Sequence, residues 1–323
     1  MESKVLKIAE NCEWVMQNSS HVYVNESKIP EYAEFIWDVY KEQMKHNLFS
    51  SEVHYISDDK EDSLAYIFAL DSINFGSGYF EKARADHGLN INYYYVAKAL
   101  KGAFDNQTVN TPEKWMEVSY ADLFDIFSFS RGEYEAIDKM LKSFEGALQD
   151  TGRHIVENYK GKVCNFIEAS DYSAVKIADD LADWKYFKDC SVYKEREIFF
   201  LKRAQILPAD IDLIYKDYLK DVDKLTMFAD NRVPHTLHCD GVLKYNEDLE
   251  AKINNREAFK FGSEEEVEMR AGAIHAVELM KHHLVSKGIK VRSVDLDRLL
   301  WHRGEDEILF KSKPSHRTET TAY

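Results

Sequence analysis

Residues 60–80 read Lys60-Glu61-Asp62-Ser63-Leu64-Ala65-Tyr66-Ile67-Phe68-Ala69-Leu70-Asp71-Ser72-Ile73-Asn74-Phe75-Gly76-Ser77-Gly78-Tyr79-Phe80. Leu64, Ile67, Phe68, Leu70 and Ile73 recur at helical spacing, which predicts a strong helix over about 60–74. Gly76 and Gly78 follow it, and two glycines so close let the backbone turn or approach a ligand. A dinucleotide-binding turn needs a strand before its glycines and a third glycine after them. Here a helix comes first and the third glycine is missing, so that reading is rejected. Asp71 and Asn74 lie three apart on one helical face, and an acid within so apolar a helix is unusual. They brace the glycine loop or else contact a ligand.

The rest of the chain is punctuated in the same way, with only 13 Gly and 5 Pro in 323 residues, too few for a strand-and-turn fold. Helices are expected over 4–17, from Pro30 onward, over about 91–104, after Thr111-Pro112, and over 133–149 with Gly152 as a stop signal. Further helices are read at 170–183, 194–206 and, beyond Pro208, 209–229. Ser263 and Glu266 form a capping box for a long helix ending near Gly288, and the last helix runs over about 293–303. His21–Asn25 reads as extended, and 50–58 as a loop or short strand. No repeat, low-complexity segment or linker interrupts residues 1–323. The expected architecture is mostly α with a few short strands, a single domain built as one compact unit or as two intimately packed helical lobes.

Composition narrows the function. With 45% hydrophobic residues the chain can build a large core, yet no run approaches the roughly 18 apolar residues of a membrane span. The N-terminus lacks the apolar block of a secretory signal, so a soluble, cytoplasmic protein is expected. Cys12, Cys164, Cys190 and Cys239 are scattered, without a Cys-x-x-Cys pair, and read as reduced, mostly buried side chains. Lys and Arg number 42 against 57 Asp and Glu, and the formal charge of −15 opposes binding to a nucleic-acid duplex. A single phosphate needs only two or three placed cations.

Residues 226–245, Thr-Met-Phe-Ala-Asp-Asn-Arg-Val-Pro-His-Thr-Leu-His-Cys-Asp-Gly-Val-Leu-Lys-Tyr, hold the densest group of candidates. Asp230 and Arg232 stand between Phe228 and Pro234, where the backbone is expected to change direction. They are either a working carboxylate with its neighbour or a plain surface ion pair at a helix end. His235, His238 and Cys239 lack the ligand pattern of a zinc helix and read as ordinary surface or core residues. His282 and His283 point to different sides of a helix and cannot chelate together. Neither a Gly-x-Ser-x-Gly elbow nor a P-loop is present. Lys202-Arg203, in an otherwise apolar stretch, either snorkel to solvent or hold an anion, and snorkelling is the plainer expectation.

Five ordered stretches resemble the queuosine salvage protein family, the queuosine 5′-phosphate N-glycosylase/hydrolases. They are Ala69–Gly78, Phe200–Leu207, Met227–Pro234, Glu265–Arg270 and His316-Arg317-Thr318. The resemblance implies hydrolysis of queuosine 5′-monophosphate to queuine and ribose 5-phosphate, for queuine salvage in tRNA modification. It also implies no metal or cofactor, a small-molecule nucleotide as partner, and a compact helical fold similar to helix-hairpin-helix DNA glycosylases. The family's Phe-x-Asp motif falls on Phe228 and Asp230. Asn231 stands where a tyrosine is expected, and His302-Arg303 follow Trp301 where eukaryotic members carry Asp-Tyr.

On that resemblance Asp230 is the expected catalytic carboxylate, placed to stabilise positive charge at the ribose C1′ and O4′ and to activate water. A 7-deazapurine base lacks N7, so the protonation that usually eases its departure is unavailable and more of the barrier falls to the sugar side. Phe228 is the expected stacking residue, with Phe75 or Trp301 as further candidates, and Lys202 and Arg203 are the expected phosphate partners. Arg232, Asp71, Asn74, His54 and Asp306 complete the candidate substrate contacts. Two other readings stay open: a DNA-glycosylase-like enzyme acting on a flipped base, and a non-catalytic helical nucleoside-binding protein.

Overall fold

The computed structural model describes residues 2–45, 49–88, 90–129, 134–306 and 313–323. In chain order the elements are α1 (Ile8–Gln17), β1 (Val22–Val24), α2 (Ile29–Tyr40), α3 (Lys60–Ser72), α4 (Ser77–His87), α5 (Tyr93–Asp105), α6 (Pro112–Glu117), α7 (Tyr120–Ile126) and α8 (Glu135–Tyr159). Then follow α9 (Val163–Ala169), α10 (Ala174–Leu181), β2 (Cys190–Tyr193), β3 (Arg196–Phe199), α11 (Lys202–Ile214), α12 (Arg232–Cys239), β4 (Leu243–Tyr245), α13 (Glu247–Asn254), α14 (Glu264–Ser286) and α15 (Ser293–Arg303). The protein is mostly α, as expected. Among the described residues the strands form two small antiparallel pairs, β1 with β4 and β2 with β3. No helix among them is long and apolar enough to cross a membrane.

The chain divides into two units. The first comprises Met1–Asn47, Asp189–Gln205 and Asp221–Glu319. Its centre is α14, capped by the Ser263 hydroxyl, which accepts the Glu266 amide, and packed against α1, α2, β1, α12 and α15. Because α14 is surrounded, its polar residues Glu266, Glu268 and Arg270 are buried with the apolar ones and must find partners inside. Both oxygens of Glu268 do so on the amides of Ser20, His21 and Val22 and on the Tyr193 hydroxyl.

The second unit comprises Leu48–Lys188, Ile206–Lys220 and Thr320–Tyr323. Here α8 is central, against α3, α4, α6, α7 and α9. The expected stop at Gly152 is corrected by the structure, since α8 continues to Tyr159. A Cβ at Gly152 would lie 2.6 Å from the Pro112 carbonyl oxygen and 2.7 Å from the Met116 nitrogen. The glycine is there to let α6 lie against α8, and it ends nothing.

The largest departure falls at 194–206, where a helix is expected and the β2–β3 hairpin and the start of α11 are found. Lys194 and Glu195 take left-handed φ values of 46° and 67° and form the two-residue turn. Such turns usually announce themselves by Asn or Gly, and this one carries neither. Lys202 and Arg203 therefore begin a helix, and Pro208 lies inside it. The expected helix over 209–229 stops at Ile214, and residues 225–229 are buried in neither helix nor strand.

Candidate active site

Residues 225–229 belong to no sheet, so their buried backbone groups need other partners. Side chains supply them. The Thr226 amide donates to Gln205 Oε1 at 2.9 Å, the Phe228 amide donates to Asp297 Oδ1 at 2.9 Å, and Arg270 Nε donates to the Ala229 carbonyl at 2.9 Å. At Asp230 the chain turns into α12, and the Asp230 carboxylate accepts the amides of Arg232 at 2.7 Å and Val233 at 3.4 Å. A carboxylate on the first free amides of a helix satisfies donors that lack partners within the helix and meets the positive end of its dipole. Pro234 is tolerated because it lies in the first turn.

Asp230 is half-buried. Its contact with Arg232 is to that residue's backbone, whereas the Arg232 guanidinium lies over the Trp301 ring, 4.3 Å from the centroid. Gly304 brings α15 close to α12 here, for a Cβ at that position would stand 2.6 Å from the Thr236 hydroxyl.

The sequence reading passed over Asp297. It lies on the buried side of α15 at 8% exposure, and its carboxyl is pushed up to about 8. Burial is the main cause; the Phe228 amide opposes the rise, the Asp230 charge adds to it, and the Lys202 ammonium opposes it again. Lys202, Asp230 and Asp297 thus form one electrostatic group. A buried carboxyl that keeps its proton at neutral pH beside a second carboxylate divides acid from charge between the two. The available signal was an acid flanked at helical spacing by Val294, Leu300 and Trp301, the same anomaly that marks Asp71.

Lys202 and Arg203 do not snorkel, at 4% and 1% exposure. The Lys202 amide, at the start of α11, donates to Asp189 Oδ2 at 2.9 Å. Asp306 is exposed at the far end of α15 and pairs with Arg303 at 3.4 Å. Arg303 in turn grips both oxygens of Asp240, the residue closing α12.

The remaining candidates belong to the second unit. Asp71 is wholly buried in α3, and its Oδ1 accepts from Asn74 Nδ2 at 3.2 Å, so the two brace the turn before Gly76. The Phe75 ring meets Phe144 edge-on at 5.0 Å, within the core of that unit. His54 is buried, with Nε2 3.0 Å from the Tyr93 hydroxyl, and burial pulls its pKa down to about 4, so it is neutral at physiological pH.

Two metal readings were tested by the geometry. His235 and Cys239 do face each other, one turn apart on α12, with Sγ 3.5 Å from Nε2, an i, i+4 pairing where none of the zinc-helix kind is expected. His238 is turned away from them, stacked on Tyr245 at 3.9 Å. Among the described residues His21, Glu264 and Glu268 also converge, but Glu268 is already committed to the backbone of 20–22.

Residues 53–323 match the sequence model of a family described as queuosine salvage protein. A protein of Sphaerobacter thermophilus is 30% identical over 317 residues, spanning 96% of this chain and 95% of its own. Relatives from Dictyostelium discoideum (27%, 98% of each chain) and Mus musculus (28%, 97% and 98%) match at similar length. All three carry the name queuosine 5′-phosphate N-glycosylase/hydrolase.

Proposed function

The chain belongs to the queuosine salvage protein family, and from that footing we propose that it is an N-glycosylase/hydrolase that converts queuosine 5′-monophosphate to queuine and ribose 5-phosphate. Water adds its oxygen to C1′, the bond from C1′ to the base nitrogen breaks, and the base leaves with a proton.

The observation that carries this reading is the Asp230 carboxylate, pinned by two helix amides beside the buried carboxyl of Asp297 and the cation of Lys202. As the glycosidic bond stretches, positive charge grows at C1′ and O4′, and a fixed carboxylate beside them lowers the barrier without having to reorganise. Asp230 takes that role and orients the attacking water. Asp297 holds a proton at neutral pH and passes it to the glycosidic nitrogen as that nitrogen's bond to C1′ breaks, so N7 is not needed, and the proton released by the attacking water restores the acid. Phe228 stacks on the base, and Trp301 carries Arg232 at the rim. Lys202 and Arg203, both buried, meet the phosphate, whose binding energy holds C1′ against the carboxylate.

The test is incubation with queuosine 5′-monophosphate followed by chromatography. Stoichiometric release of queuine and ribose 5-phosphate is expected. Binding of the nucleotide without release would leave the non-catalytic reading in place.

A further inference from the structure

Asp189 and Arg270 lie far apart in sequence and meet in a fully buried pair. Arg270 Nη1 donates to Asp189 Oδ1 at 2.9 Å and Nη2 donates to Oδ2 at 2.6 Å, the two-pronged geometry that only arginine offers. The guanidinium spends its other donors usefully. Nε holds the Ala229 carbonyl, one residue before Asp230, and Nη1 also reaches Glu266 Oε1 at 3.3 Å. Its face lies 4.1 Å from the centre of the Phe200 ring.

Asp189 works at the opposite end. Its Oδ2 takes the amide of Lys202, and its backbone carbonyl takes the amides of Phe200 at 3.1 Å and Leu201 at 3.4 Å. Leu201 needs that support, because it sits at φ 53°, a left-handed conformation that L side chains adopt only at a cost. Strain of this kind persists where surrounding bonds over-determine the backbone, and it gathers at working sites. A second tether runs parallel: Gln205 Nε2 donates to the Phe200 carbonyl at 2.9 Å, and Oε1 accepts the Thr226 amide.

We propose that Arg270 and Asp189 are positioning residues that fix the distance between the Lys202-Arg203 helix start and the Asp230 carboxylate, acting through the Lys202 amide and the Ala229 carbonyl. This role rests on the reaction proposed above. One buried ion pair thereby sets the span between the anchor for the phosphate and the charge that meets C1′. Neither residue needs to touch the nucleotide.

Arg270→Lys keeps the charge but loses the fork and the hold on Ala229; Asp189→Asn keeps the shape and weakens the pair, and serves if the lysine variant does not fold. A misplacement near 1 Å lowers turnover by about 100-fold. The expected result in folded variants is therefore kcat reduced by about tenfold to 100-fold with KM nearly unchanged, since each end of the substrate still finds its own partners. Backbone amide exchange should quicken together in 200–205 and 226–230. Wild-type kcat in a folded variant, or a raised KM at wild-type kcat, overturns the proposal. If the unaltered protein releases no queuine, the reaction assignment fails by itself. The exchange measurement then decides the clamp, because unchanged protection or loosening of only one segment overturns it.

Discussion

The amide of Phe228 donates to Asp297 Oδ1 at 2.9 Å, and this one bond ties the segment that delivers Asp230 to a buried carboxyl on another helix. It brings two acids of unlike environment within electrostatic reach of each other, one on the amides of a helix start and one buried on α15.

Asp230→Asn retains an oxygen for the amides of Arg232 and Val233, so the helix start survives. The negative charge is lost. Turnover should fall by about 100- to 1,000-fold, the scale seen when one preorganised electrostatic contact is removed from a transition state. Substrate binding measured by calorimetry should change little. Near-native turnover would remove Asp230 from its role.

Asp297 makes stability depend on pH. In the unfolded chain its carboxyl loses its proton near the ordinary value of 3.8, whereas in the fold it keeps the proton to about 8. The folded state binds more protons in that interval, so the contribution is full below about pH 4, declines as pH rises and is gone by about pH 8. Asp297→Asn still receives the Phe228 amide and has no such dependence. Melting curves should show the variant gaining on wild type across that window, by a few kcal/mol at its top. A constant difference from pH 4 to pH 9 would contradict the assignment.

The same group predicts an alkaline limb in kcat/KM near pH 8, absent from Asp297→Asn. Lys202 lowers the proton affinity of Asp297, so Lys202→Met should move that limb upward while also raising KM for the monophosphate by about tenfold or more. The nucleoside, with no phosphate to hold, should suffer the smaller loss. Equal losses for the two substrates would take Lys202 away from the phosphate.

Binding to duplex DNA separates the salvage reaction from base excision. Phosphate contacts produce a steep fall of affinity with salt, and a chain with a formal charge of −15 should show almost no affinity to lose. A slope equivalent to several phosphates would favour the excision reading.

Much of the fold could be read from residues in sequence. The helix of residues 60–72, the capped start at Ser263 and the short strand after His21 follow from periodicity, capping chemistry and β-branched content, all of which act over a few residues. The site was legible in its ends and not in its middle. Asp230 stood out because charge and proline adjoin an aromatic; Asp189, Gln205, Arg270 and Asp297 did not, because their partners lie far along the chain. The hairpin at 194–195 was hidden for a different reason: lysine and glutamate occupy left-handed positions that tertiary bonding, not local preference, enforces. Gly152 shows the converse, a residue whose local meaning was overruled by the close passage of another helix.

The frame around Asp230 draws on residues 189, 205, 270 and 297, and the last of these is made long after the carboxylate itself. A chain emerging from the ribosome therefore carries Asp230 through a further 67 residues of synthesis before Asp297 can take the Phe228 amide. Catalytic competence waits on α14 and then on α15, the helices that supply Arg270 and Asp297. Fragments stopping short of α15, however well their early helices form, should be inert.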